Sequence, residues 1–161
     1  GVHPQAAAGR RGGVTLMRLA LVLIALASSA AAQSVTIIDG DKINIDGEGY
    51  RFLGVAAPDP GQICDDGYPA GTEAIKALLA FMSGRKIACE SHGRDPSGRL
   101  LALCRAAGRD LGEAMVRSGM AWADPRTGRT YVDVERDARA DRLGVHDHSC
   151  VLPWAYRKNP G

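Results

Sequence analysis

The charged residues whose types and spacing suit chemistry fall in three short stretches. "IIDGDKINI" carries Asp39 and Asp41. They are two residues apart, so on an extended strand both carboxylates face the same side, where Asp39 could add negative charge beside Asp41. The plainer alternative is a pair of turn acids around Gly40. "YRFLGVAAPDPGQIC" carries Arg51 on an apolar run that ends in Ala56 and Ala57, just before Pro58 and Asp59. "RDPSGR" carries Arg99. An arginine fork grips two phosphate oxygens at once and stays charged at any relevant pH, which a lysine does less well. The plainer alternatives are a solvent-facing strand residue for Arg51 and a hairpin-closing residue for Arg99.

The elements that must position these groups follow from periodicity and turn residues. "SVTIIDGDKINIDGEGYRFLGVA" alternates polar and apolar residues around "DG" and "DGEG", which predicts three short strands in a meander. "PAGTEAIKALLAFM" places Ile75, Leu78, Leu79 and Met82 on one face of a first helix stopped by Gly84. "RKIACES" and "RLLALCRA" predict a hairpin around "RDPSGR". A second helix is expected from near Asp110 to Gly119, and a third, largely charged one is closed by Gly144. Strands first, then strands mixed with helices, indicate an α+β chain around a small barrel rather than a parallel α/β sheet.

Residues 1–32 are expected to be separate from this domain. Arg10, Arg11 and Arg18 precede the apolar run "LALVLIALA", and "SSAAAQ" then supplies small residues suited to cleavage after Ala32. These are the three parts of a secretory signal, whereas about nine apolar residues are far short of the roughly 20 that a spanning helix needs. Met17 stands where a natural start would fall, so residues 1–16 are expected to lie upstream of it. The formal charge of the whole sequence is +2. Without the three arginines of the signal it becomes −1, so a mature chain over 33–161 has no broad basic footprint, and any phosphate binding must come from a local cluster.

An exported chain meets an oxidising compartment in which thiols pair. Cys89 and Cys104 flank "SHGRDPSGR", and a hairpin turning at its midpoint sets them opposite each other. Cys64 and Cys150 then pair by elimination among the three possible connectivities. A zinc site is disfavoured because no C-x-x-C occurs, and His146 and His148 are expected in a solvated loop.

The order "IIDGDKINI", "YRFLGVAAP", a helix, "RDPSGRLLALC", "GRDLGEAMVRSGMAWA" and a last helix ending "RLGV" resembles, over about residues 34–145, the thermonuclease family of staphylococcal-nuclease-like domains. The resemblance implies a five-stranded oligonucleotide-binding-type barrel with three helices. It also implies calcium-dependent hydrolysis of phosphodiester bonds in DNA and RNA. That chemistry needs a hard cation, a carboxylate to prepare water, and cationic donors for the phosphoryl oxygens. By this resemblance Asp41 is a metal carboxylate and the main-chain carbonyl of Ala57 a metal ligand. Arg51 and Arg99 become the phosphate-contacting pair, and Asp59 the water-activating base.

Three departures weaken the match. Where the family commonly reads V-D-[AT]-P-E or I-D-A-P-E, this chain has "VAAPD": Ala56 replaces a metal carboxylate, and Asp59 is one methylene shorter than the family's glutamate. Ser97 stands where a tyrosine is frequent, removing a stacking face for bases. Trp122 and Trp154 are expected to pack rather than to stack on a ligand. The resulting expectation is an exported, monomeric, periplasmic or secreted protein, free of the membrane once the signal is removed. It would hydrolyse single-stranded DNA or RNA with attenuated activity on a weakened or lost Ca2+ site. The alternative is a catalytically inactive barrel that binds nucleic acid, another anion or a protein partner.

Overall fold

The computed structural model describes Gly1 and residues 32–159. The export signal expected over residues 1–32 therefore lies, but for its two ends, outside the described residues. Strands β1 (Val35–Asp39), β2 (Lys42–Ile45) and β3 (Glu48–Phe52) form the antiparallel meander expected from the two turn signals. The hairpin of β5 (Ile87–Arg94) and β6 (Leu100–Ala106) joins it through a parallel pairing of β3 with β6, giving the order β1-β2-β3-β6-β5. A short β7 (Arg109–Asp110) extends β6. Separately, β4 (Val55–Ala56) pairs with β8 (Trp122–Ala123).

The chain is thus α+β with a multi-stranded sheet, but no closed barrel is formed among the described residues. Just ahead of β1, the Gln33 amide reaches β5: it donates to the Ile87 carbonyl and accepts from the Ile87 N–H, both at 2.9 Å.

Helices α1 (Ala70–Met82), α2 (Leu111–Arg117) and α3 (Val132–Ala140) occupy the three expected places. A 3₁₀ turn (Gly144–His146) and a four-residue α4 (Pro153–Tyr156) lie beyond them, in a tail whose sequence carried no helix signal. The buried face of α1 holds Leu78 and Met82 as expected, but Ala70 and Ala74 complete it in place of Ile75, which is half-buried, and Leu79, which is exposed. The small residues decide this: a Cβ on Gly40 would lie 2.9 Å from Ala74 Cβ and 2.7 Å from Ala57 Cβ. Closest approach is therefore along the alanine row. Asp110 caps α2 by accepting from the Glu113 N–H at 3.0 Å, a contact whose loss typically costs about 1 kcal/mol. The third helix ends at Ala140, four residues before Gly144, because Arg142 takes the left-handed backbone (φ 53°) that halts it.

The main core gathers Ile43, Phe52, Leu78, Leu111, Met115 and Val116 between sheet and helices. Cys89 and Cys104 are direct partners across β5 and β6 and form a disulfide; Cys64 and Cys150 form the other. Cys64, Trp122 and Val145 make a second, smaller core, so Trp122 packs as expected. His146 and His148 are not in a solvated loop. His146 meets Trp122 edge-on, and His148 stacks on Tyr68 with centroids 3.8 Å apart and shares a 2.8 Å hydrogen bond with Asp66.

Candidate anion-binding site

Strand register brings the predicted arginines together. In the parallel pairing Tyr50 faces Leu100 and Arg51 faces Leu101, so Arg99 falls opposite Gly49. Residues 49 and 51 share one face of the sheet by the two-residue period. The stem of Arg99 lies over Gly49, where an added Cβ would come within 3.2 Å of Arg99 Cγ. Arg51, Arg99, Asp59 and Asp39 accordingly line one open cleft of about 310 Å³, together with Ile38, Lys42 and Arg157.

Each arginine is braced by a buried carboxylate. Arg99 donates through Nε to Asp95 Oδ2 at 2.8 Å and lies 2.7 Å from it through Nη2, and these contacts hold the Asp95 carboxyl below its ordinary range against the opposing effect of burial. Arg51 donates through Nη2 to Asp124 Oδ2 at 3.2 Å, and its Nε lies 3.6 Å from Asp41 Oδ2. Asp124 follows β8, whose pairing with β4 is extended by the Asp124 N–H donating to the Gly54 carbonyl at 2.8 Å. The short second sheet thus positions the carboxylate that orients Arg51. Guanidinium groups fixed along one edge keep their other donors free of reorganisation when an anion arrives.

Around Asp41 the structure departs most from the expectation. Lys42 faces Arg51 across β2 and β3, yet its side chain turns inward and is only 10% exposed. Its Nζ donates to Asp39 Oδ2 at 2.5 Å and to Asp41 Oδ1 at 2.8 Å. The ammonium sits between the two carboxylates that could have held a metal. Asp41 is fully buried, and burial followed by the nearby Asp39 charge pushes its carboxyl up to about 7, against the opposing pull of Lys42. Asp41 Oδ2 and Arg51 Nε are both buried without a hydrogen-bond partner.

The calcium implied by the resemblance does not fit this arrangement. Calcium takes six to eight oxygen ligands. Here Asp39 and Asp41 are engaged by Lys42, and Ala56 contributes a fully buried methyl paired opposite Trp122. Ala57 is fully buried against the main core. Among the described residues no group of three His, Cys, Asp or Glu side chains is placed to hold a metal ion. Asp59 is at the cleft, but its carboxylate is gripped by Arg157, whose Nε lies 2.9 and 3.1 Å from the two oxygens. Both oxygens that would have to orient a water are thus engaged by Arg157.

Sequence reasoning therefore brought Arg51, Arg99 and Asp59 to one place, and missed Lys42, Asp95, Asp124 and Arg157. A charged residue inside "DKINI", next to two acids, was the one available signal for Lys42. Nothing near Asp59 in sequence announces Arg157, 98 residues away.

A family model described as staphylococcal nuclease homologue matches residues 50–147. The Asp39–Lys42 turn precedes that span. The chain is 33% identical over 150 residues to the succinoglycan biosynthesis protein ExoI of Rhizobium meliloti (strain 1021), covering 86% of this chain and 78% of ExoI. It is 30% identical over 161 residues to Protein ParB of Escherichia coli, covering 86% of this chain and 88% of ParB.

Proposed function

The chain belongs to the staphylococcal nuclease homologue family, and from that premise we propose that it is a metal-independent binder of the phosphodiester backbone of single-stranded nucleic acid. The observation that carries this is the Lys42 ammonium between Asp39 and Asp41, in the place a divalent cation would need. An internal cation offsets the charge of the acidic pair, beside which Arg51 and Arg99 line the cleft. Arg51 and Arg99 then supply the phosphate donors, while Asp59, held by Arg157, serves the cleft's structure. The two disulfides favour an oxidising compartment, periplasmic or extracellular, as does the export-signal pattern of the sequence. No helix among the described residues is long and apolar enough to cross a membrane.

The test is anisotropy of a labelled single-stranded oligonucleotide, titrated with protein in calcium and in chelator. Binding is expected to be equal in both, to weaken steeply with salt, and to fall about 10- to 100-fold in Arg51→Ala or Arg99→Ala, as for loss of a charged hydrogen bond. Each substitution should also reduce the salt slope by about 1. Calcium-dependent cleavage lost in Arg99→Ala would instead make the protein an attenuated nuclease. Absence of binding in every condition would remove both readings.

A further inference from the structure

A second cleft, of about 460 Å³, adjoins the first. It is lined by Arg51, Arg94, Arg126 and Arg157 with Asp95 and Asp124. Arg51 and Arg157 line both clefts. Its two carboxylates are already spoken for: Asp95 by Arg99, and Asp124 by Arg51 and by Arg126, which donates to it through Nε at 2.7 Å and Nη2 at 3.0 Å. Arg94 and Arg157 pair outside the lining with Glu48 and Asp59, so with Arg99 counted five guanidinium groups meet four carboxylates, and the excess of one lies at Asp124, which Arg51 and Arg126 share.

The geometry of these arginines is set in part by the tail that carries α4. The Arg126 guanidinium lies 4.3 Å over the Trp154 ring, so its plane is fixed by stacking as well as by Asp124. Trp154 belongs to α4, and the tail that carries α4 is anchored at several points. Cys150 is bonded to Cys64; the Gln62 amide donates to the Val151 carbonyl at 2.8 Å; and the Tyr156 hydroxyl donates to the Gly61 carbonyl at 3.4 Å. Arg157 follows directly and is tied to Asp59 through Nε alone. Among the described residues, Nη1 and Nη2 of Arg157, Nη1 of Arg126 and Nη2 of Arg94 donate no hydrogen bond.

We propose that this second cleft is a further phosphate subsite, built by Arg126 and Arg157 with Arg94, so that the protein takes two successive phosphates of one strand across the shared Arg51–Arg157 wall. The inference rests on the phosphodiester-binding reading of the first cleft. The tail is then part of the binding surface: it supplies Arg157 directly and orients Arg126 through Trp154.

The experiment compares thymidine 5′-phosphate with the dinucleotide pTpT by calorimetry in chelator, on the full chain with its disulfides intact. The wild type is expected to bind pTpT at least about 10-fold more tightly, a charged hydrogen bond's worth of affinity. In Arg126→Ala the ratio between the two ligands should collapse toward one. Arg126→Lys should recover only part of it, because a point charge replaces a fork. Arg126 is half-exposed and Asp124 keeps Arg51, so melting curves are expected to show that both variants fold. A ratio unchanged in Arg126→Ala overturns the second subsite and leaves the first cleft standing. If neither ligand binds the wild type, the phosphodiester-binding reading fails, and the subsite with it.

Discussion

Replacing Lys42 by methionine removes the ammonium and keeps an unbranched side chain of similar length, so the change isolates charge from packing. Nζ bonds one oxygen of Asp39 and one of Asp41, at 2.5 and 2.8 Å, and the two carboxylates are 4% and 0% exposed. Removing one partner from a buried ionic group typically costs about 3–5 kcal/mol, because the remaining charge is left without compensation. For a domain of this size that corresponds to a fall in Tm of roughly 10–20 °C.

The variant also makes a pH signature. The Asp41 carboxyl is raised in the folded chain, to about 7 from an ordinary 3.8. Between those values the folded state holds more protons than the unfolded one at this group, so the contribution of Asp41 is fully present below about pH 4 and is lost as pH rises through 7. Without Lys42 the carboxyl is pushed higher still and the loss continues into alkaline solution. The deficit relative to wild type should therefore shrink as pH falls from 8 to 6, by up to about 1.4 kcal/mol per unit where Asp41 is protonated in the variant and ionised in the wild type. Urea unfolding of both proteins at pH 6, 7 and 8 measures it. Calcium adds a second readout: at millimolar concentration it should leave the Tm of the wild type in place, since the Lys42 ammonium already occupies the point between the two carboxylates. A variant as stable as wild type at pH 8, or a wild type stabilised by calcium, would refute the internal-cation argument.

Two other outcomes follow from the same structure. Burial, and after it the Arg139 charge, hold the His146 imidazole below its ordinary 6.5, so the folded state binds fewer protons than the unfolded one just below that pH. That contribution is present above 6.5 and lost as pH falls through the folded value. Wild type measured against His146→Phe should accordingly lose ground at pH 5 relative to pH 7.5 in urea titrations, and a pH-independent difference would count against this assignment. Gly40→Ala would press a methyl to 2.7 Å from Ala57 Cβ and 2.9 Å from Ala74 Cβ, a clash between backbone-attached groups that cannot swing away. The expected cost is about 1–3 kcal/mol by thermal melting, and a neutral result would show that the turn has room.

What could be read from the sequence was what depends on near neighbours. The meander follows from its turn residues, and the Cys89–Cys104 pair follows from a hairpin that places them in register. Arg51 and Arg99 share a face because β3 and β6 run parallel with Tyr50 beside Leu100. That parallel pairing was reachable only through the family resemblance. Lys42 was not legible because a lysine on a short strand ordinarily faces water; its inward turn depends on Asp39 and Asp41 being buried beside it. Leu79 failed as a core residue because α1 meets the sheet through Ala74, at a contact only Gly40 permits. Asp124, Arg126, Trp154 and Arg157 come from separate turns and a tail whose convergence no local pattern records.

The Cys64–Cys150 bond joins residues 86 positions apart. Cys150 is made long after Arg51 and Asp59, and Arg157 later still, so the wall between the two clefts is the final part of the site to exist. Until the tail docks, Asp59 has no guanidinium partner and Arg126 no ring to lie on. Along the chain the site is therefore completed at its far end: Arg51 and Asp59 come first, Arg99 and Arg126 next, and last the tail that carries Trp154 and Arg157. The Cys64–Cys150 bond is the covalent anchor of that tail, so it bears on the wall between the clefts as well as on the stability of the chain.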